Sequence, residues 1–536
     1  MRVRSIIVLC SAGVFWAMGS MVAQAQFGFG IGFPGSQQQG GRQTRPSAND
    51  VPSSDGGGRN GSSWFPSFDI LINPSSPRKP KDLSPREAFE QRFAQDSPEE
   101  AVREFEALQI SEFGAYLGVP TNTVPPTAAQ ISTRLSQIAQ ETGKRPAVIY
   151  AVALKKQTHL LLVTPANTQL GYRAHPLLVA SAHLRGTQMA QMESPPVIRK
   201  VLGDVSRETV VDMAKAFRKA VSNPDELDSS RYRDAATQLY RWMVAPLEPQ
   251  LASQKIDTLL FSMDDGLRTI PVAALNDGNH FLVEQYSSAL IPSFGLTDSG
   301  RSLALNQQPL LAMGITKSTD GMSPLPAVST EISAISGQLW SGPSRHTLDE
   351  ASTLDNLKDL YSQQRFGVLH LATHAVFNSG QADNSFIQFW QSRLTLSQVR
   401  HLSKDLQWNN LPSLQLLVLS ACQTALGNKD AELGFAGTAL NAGVPAAIAS
   451  LWSVNDTGSL GLMTGFYDAL KMSPTKAEAL RQAQLNMLHG ETRLQNGQLT
   501  FPNHAPIPLG ATAEPSASSL THPYFWSGYT VVGNWN

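Results

Sequence analysis

The sequence predicts an α/β protein in which a mainly parallel sheet flanked by helices is preceded by a second α/β region. Short apolar runs such as "PLLAMGI", "FGVLHLAT", "LQLLVLSA" and "PAAIASLW" alternate with helical stretches such as "DEASTLDNLKDL" and "SPTKAEALRQAQLNML". That alternation implies parallel strands covered by helices on both faces, and strands buried on both faces read as unbroken apolar runs. No repeat of fixed period, tetratricopeptide or other, is evident.

The chain opens on "MRVRSIIVLCSAGVFWAMGSMVAQAQ", with Arg2 and Arg4, an apolar stretch from Ile6 to Met18 and small residues up to Ala25. This order predicts a signal peptide over residues 1–25, hence export to the periplasm or the extracellular medium. The apolar stretch falls short of the ~20 residues a spanning helix needs, and no other segment reaches that length, so no transmembrane segment is expected in the mature chain. Residues 26–83 are rich in Gly, Ser, Gln, Asn and Pro and read as a linker that cannot bury enough apolar surface to order itself. The G-x-G-x-x-G at Gly30, Gly32 and Gly35 has no strand before it and no helix after it, so it is not a dinucleotide site.

Residues 84–303 form the first α/β region. Ser84 is placed to cap a helix with Pro85 at its first position. Strands follow in "RPAVIYAVALKKQTHLLLVTP", helices around "VVDMAKAFRKAV" and "DAATQLYRWMVAPL", and a strand in "IDTLLFSM" closed by an Asp265-Gly266 turn. Residues 304–536 form the second region. Within it, "ETRLQNGQLTFPNHAPIPLGATAEPSAS" reads as a long polar loop ahead of a final aromatic strand in "HPYFWSGYTVVGNW".

The 42 Lys and Arg nearly balance the 43 Asp and Glu, which gives no electrostatic reason to expect a nucleic-acid or anionic-membrane partner. No G-x-S-x-G, G-x-x-x-x-G-K-[ST] or H-E-x-x-H occurs, so serine-hydrolase, phosphate-loop and zincin chemistries lack their minimal motifs. Of two cysteines, Cys10 lies in the leader, which leaves Cys422 alone and rules out an internal disulfide in the mature chain. A lone exported cysteine is buried and inert, paired with another chain, or kept for its reactivity.

Position separates these outcomes. In an open parallel sheet, reactive groups collect beyond the carboxyl ends of strands. "FGVLHLATH" ends at His374 and "LQLLVLSAC" at Cys422, so neighbouring strands would deliver an imidazole and a thiol to one edge. A thiolate so placed attacks a carbonyl while the imidazole moves the proton. The oxyanion needs fixed donors, for which the backbone N–H groups of Cys422 and Ala375 are candidates. His370 lies four residues earlier, ~13 Å deeper at strand spacing, and is expected in the core.

These segments are also familiar as a set. "HLATHAVF", "LLVLSACQTALG", "AELGFAGTALNAGVPAAIASLWSVND", "FYDAL", "KAEALRQAQ" and "HPYFWSGYTVVG", in that order between about 240 and 533, resemble the CHAT family of caspase-like and separase-like cysteine peptidases. The resemblance implies a caspase-type fold and a Cys-His dyad, with Cys422 matching the nucleophile and His374 the catalytic histidine. The activity implied is that of a cysteine endopeptidase acting on protein or peptide substrates through a thioester. An inactive member serving as a binding or scaffold protein is the alternative.

Relatives often carry Gly after the histidine, where this chain has Ala375, and helical repeats that control activity, of which none is evident. The regulatory partner is therefore unassigned. Relatives that cut after basic residues place an Asp two positions before the nucleophile, and here that position is Ser420. Asp430 and Glu432 are candidates for lining a pocket for a basic side chain, or for favouring the N-terminus of a helix near Leu433. No cofactor is implied beyond a regulatory Ca²⁺, for which Asp383 is the candidate. The first region reads either as a degenerate caspase-like half or as an unrelated docking domain.

Overall fold

Local signals at the helix ends decide where the first helices start and stop. In the computed structural model, which describes residues 84–118, 122–166, 197–300, 304–410, 413–424, 429–509 and 519–536, α1 (Pro85–Gln95) starts at Ser84. The Ser84 hydroxyl accepts the Glu87 N–H and the Glu87 carboxylate accepts the Ser84 N–H, which satisfies two of the free donors at the helix start. Ser97 and Thr127 cap α2 (Pro98–Leu117) and α3 (Ala128–Thr142), and Gly118 and Gly143 end them in the left-handed conformation. The predicted leader and linker lie outside the described residues. Residues 80–536 group as one compact unit.

The first region continues through β1 (Pro146–Ala153), β2 (Thr158–Val163) and β3 (Ile198–Leu202), then α4 (Arg207–Val221), α5 (Tyr232–Met243), α6 (Glu248–Ser253), β4 (Thr258–Met263), α7 (Leu282–Gln285) and β5 (Ser287–Leu290). β1, β2 and β4 are buried along their whole length, as their apolar runs require. The predicted Asp265-Gly266 turn follows β4: Leu267 N–H reaches the Asp264 carbonyl and Gly266 takes φ +83°, open to it because it has no Cβ.

The second region runs β6 (Leu310–Gly314), α8 (Val328–Ala334), β7 (Ser344–Leu348), α9 (Leu354–Gln363), β8 (Val368–Phe377), β9 (Phe386–Phe389), β10 (Ser392–Thr395), α10 (Leu396–Asp405) and β11 (Leu416–Thr424). It closes with α11 (Lys429–Ala436), α12 (Thr438–Ala442), β12 (Ala446–Ser450), α13 (Asp456–Ala469), α14 (Lys476–Leu488), β13 (Arg493–Gln495), β14 (Gln498–Thr500), β15 (Ile507–Pro508), α15 (Pro523–Trp526) and β16 (Tyr529–Gly533). The stretch read as a polar loop thus holds a small antiparallel sheet, β13-β14-β15, seated through Leu494, Leu499 and Ile507. The final aromatic segment divides into α15 and β16.

Both regions share one 13-stranded sheet, ordered β10-β9-β8-β11-β12-β16-β5-β4-β1-β2-β3, with β6 pairing β7 and β8 beside this path. β6, β7, β8, β11 and β12 are mutually parallel, as are β16, β5, β4 and β1. The two blocks meet at the antiparallel pair β12 and β16. The predicted α/β class and its mainly parallel, helix-covered sheet are what the chain adopts. Among the described residues, no helix is long and apolar enough to cross a membrane.

Candidate functional site

β8 and β11 lie side by side and parallel, in register from Leu416 opposite Val368 to Ser420 opposite Ala372. The register then slips, and Cys422 pairs with Ala375. On the other edge of β8, pairing with β6 stops at Ala372 and pairing with β9 starts at Ala375. Thr373 and His374 therefore occupy a bulge where both ladders are interrupted at once. A bulge bends a strand and re-aims its side chains, and this one falls beside the strand position of Cys422. The side chain of Cys422 lies outside the described residues.

His374 is half-buried, and its Nε2 is 2.9 Å from the carbonyl oxygen of Ser323. A carbonyl only accepts, so Nε2 carries a proton, and the remaining ring nitrogen, Nδ1, is the one that can act as a base. Ser323 belongs to the loop between β6 and α8. Leu325 N–H bonds to the Thr316 carbonyl at 2.9 Å across that loop, and Asp349 receives the N–H groups of Thr316 and Lys317 at its start. At its end, Asp456 Oδ2 accepts the Ala327 N–H at 2.6 Å. Burial raises the Asp456 carboxyl to about 7; the Ala327 bond opposes the shift and the Glu331 charge adds to it. Ser323 had no sequence signal, because its backbone carbonyl makes the contact.

His370 is 0% exposed, as expected of a core position. Its Nε2 lies 2.9 Å from Glu331 Oε1 on α8 and its Nδ1 3.1 Å from the Tyr467 hydroxyl on α13. Both ring nitrogens are thus engaged within the core.

The strands do not stop where the sequence reading ended them. β8 continues to Phe377, stabilised by the hairpin partner β9, and β11 continues to Thr424. Ala375 therefore sits between two strand neighbours, β9 and β11. Ser420 is buried inside β11. The helix after Cys422 begins at Lys429, so Asp430 and Glu432 both fall in its first turn. Asp430 Oδ2 accepts the Gly380 N–H at 3.0 Å, in the loop after β8. Glu432 is buried and accepts from the Gly266 N–H at 2.7 Å and the Thr269 hydroxyl at 3.1 Å. Its carboxylate is directed at the β4 turn, where it meets the first region and not an open pocket.

Asp383 Oδ1 accepts hydrogen bonds from the Ser397 hydroxyl and from the Thr395 hydroxyl at 3.0 Å, which hold its carboxyl below the usual range. Among the described residues, no group of three or more His, Cys, Asp or Glu side chains is arranged to hold a metal ion.

No curated protein matches the chain. The Saccharomyces cerevisiae separase–securin complex is similar at 10% identity and TM-score 0.37, over 81% of this chain and 34% of that one. This chain thus spans about a third of the length of the matched separase chain. The Arg-specific cysteine proteinase gingipain R is similar at 11% identity and TM-score 0.32, over 61% of this chain and 74% of that one. The complex of the pro- and mature domains of Porphyromonas gingivalis RgpB is similar at 12% identity and TM-score 0.32, over 61% and 76% of the respective chains. The CHAT domain family model matches residues 233–534, more than half of the sequence, and the chain belongs to the CHAT-domain family.

Proposed function

We propose that the chain is an exported cysteine endopeptidase of caspase type, with Cys422 as nucleophile and His374 as base. The observation that carries this reading is the bulge at Thr373 and His374, one residue from the strand partner of Cys422. At the ~4.8 Å spacing of adjacent strands, the two backbones are close enough for an imidazole and a thiol to meet. The Ser323 carbonyl fixes the base in the tautomer that leaves Nδ1 free, the role of the orienting third group in nucleophilic catalysis.

In this mechanism Nδ1 takes the thiol proton and the thiolate sulfur adds to the scissile carbonyl carbon. The tetrahedral oxyanion collapses, the C–N bond breaks, and the amine leaves with the proton returned from the imidazolium. Water, deprotonated by the same nitrogen, then hydrolyses the thioester and regenerates the thiol. The backbone N–H groups of Cys422 and Ala375 remain the proposed oxyanion donors. Substrates would be proteins or peptides, with Ser420 and Asp430 as the remaining candidates for side-chain selection.

The test is cleavage of a peptide library by the purified protein and by its Cys422→Ala and His374→Ala variants. Cleavage by the parent alone supports the reading, and equal cleavage by all three defeats it. One observation favours the alternative of a binding protein without turnover: the ladder continues past His374, with strand neighbours on both sides of Ala375. A Cys422→Ala protein that retains full biological effect would select that alternative.

A further inference from the structure

α11, the helix that follows the strand of Cys422, is tied at three of its first four residues to three different parts of the molecule. Lys429 Nζ lies 2.8 Å from Glu112 Oε1 on α2. Asp430 holds the Gly380 N–H in the loop after β8. Glu432, 1% exposed, takes the Gly266 N–H and the Thr269 hydroxyl and faces Arg218 Nη1 at 3.7 Å. An eight-residue helix has little stability of its own, so such tethers decide where it sits.

The Glu432 contacts are the deepest of the three. Arg218 is 1% exposed and gives Nη1 to the Gly266 carbonyl at 3.1 Å, while its Nε and Nη2 have no hydrogen-bond partner among the described residues. Glu432 is therefore the compensating charge for a buried guanidinium, and it also accepts the part-buried Gly266 N–H of the β4 turn. Gly266 is bound to its position: a Cβ there would lie 2.7 Å from Val211 Cγ2 on α4. The turn and α4 thus present a rigid acceptor and donor set to which one carboxylate is fitted.

We propose that Glu432 is a positioning residue for the peptidase reaction, locking α11 to the β4 turn of the first region and thereby holding Cys422 in place against His374. The proposal rests on the peptidase reading above. It assigns the first region a task in catalysis without giving it a catalytic group of its own.

The test uses the full chain and two variants. Arg218→Met with Glu432→Ala removes both charges together, so neither is left buried alone. Glu432→Gln, made with Arg218→Met for the same reason, keeps an oxygen for the Gly266 N–H. Hydrogen exchange of α11, kcat and KM on a cleaved peptide, and the rate of Cys422 alkylation by iodoacetamide are measured beside the melting temperature. In the folded Glu432→Ala double variant, α11 amides are expected to exchange at least tenfold faster and kcat to fall at least tenfold with KM within twofold, while the Glu432→Gln double variant recovers at least a third of the turnover. Wild-type exchange in α11, or faster exchange with wild-type kcat, overturns the proposal, as does a Glu432→Gln double variant no better than the Glu432→Ala one. If the parent cleaves no peptide, the peptidase reading fails and alkylation decides: a rate unchanged in the Glu432→Ala double variant overturns the proposal, and a rate altered at least threefold upholds Glu432 as the residue that positions Cys422.

Discussion

The Nε2–H of His374 donates to the backbone carbonyl of Ser323 across 2.9 Å, so the ring is held by a group that side-chain substitution cannot remove. Substituting Ser323 by Ala is therefore expected to leave peptide cleavage within about threefold of the parent. His374→Ala should lower kcat by at least a hundredfold, the scale of a lost general base. Steady-state kinetics on one cleaved peptide checks both, and a Ser323→Ala protein as impaired as His374→Ala would contradict the geometry.

His370, four residues away, should behave in the opposite manner. Its removal leaves the Glu331 carboxylate buried without its imidazole partner. His370→Ala is expected to lose about 2–4 kcal/mol of stability in urea unfolding. Its Cys422 alkylation rate should remain within threefold of the parent.

Asp456 links stability to pH. Its folded-state pKa of about 7 lies above the ordinary value of 3.8, so between those limits the folded protein keeps a proton that the unfolded chain has released. The neutral carboxyl favours the fold at low pH, and that contribution is lost as pH rises from about 4 to 7. Asp456→Asn mimics the protonated form and is expected to be more stable than the parent at pH 8, by an amount on the order of 1–3 kcal/mol. At pH 4 the two should differ little. Melting curves at both pH values measure the difference, and an Asn variant that loses stability at pH 8 would contradict the burial argument.

Gly266→Ala places a Cβ against Val211 at a φ of +83°. A cost of about 2–3 kcal/mol is expected from the left-handed backbone and the clash together. Chemical denaturation measures it.

Much of this architecture was legible because strands buried on both faces cannot avoid being apolar. "FGVLHLAT", "LQLLVLSA" and "PAAIASLW" became β8, β11 and β12, and the Ser84 cap was readable from its own letters. β9 and β10 were not, because each is only four residues long and β9 buries a polar Gln388 among its apolar residues, satisfied by the Asp320 side chain and the carbonyls of Phe389 and Ser392. The extension of β8 beyond His374 depends on that hairpin, and so the bulge was equally hidden. The seam between the two regions depends on β16 pairing with β5 across more than 200 positions of sequence, a relationship that no local window contains.

That seam has a consequence for biogenesis. β16 is inserted between β12 and β5, so the central sheet is not continuous until residues 529–533 are in place. Until then the flanks of β12 and β5 are open backbone edges, the kind of surface that recruits other chains. A molecule in which β16 has not yet been inserted therefore carries two open edges at the middle of its sheet, and a chaperone that shields them would protect it at that step.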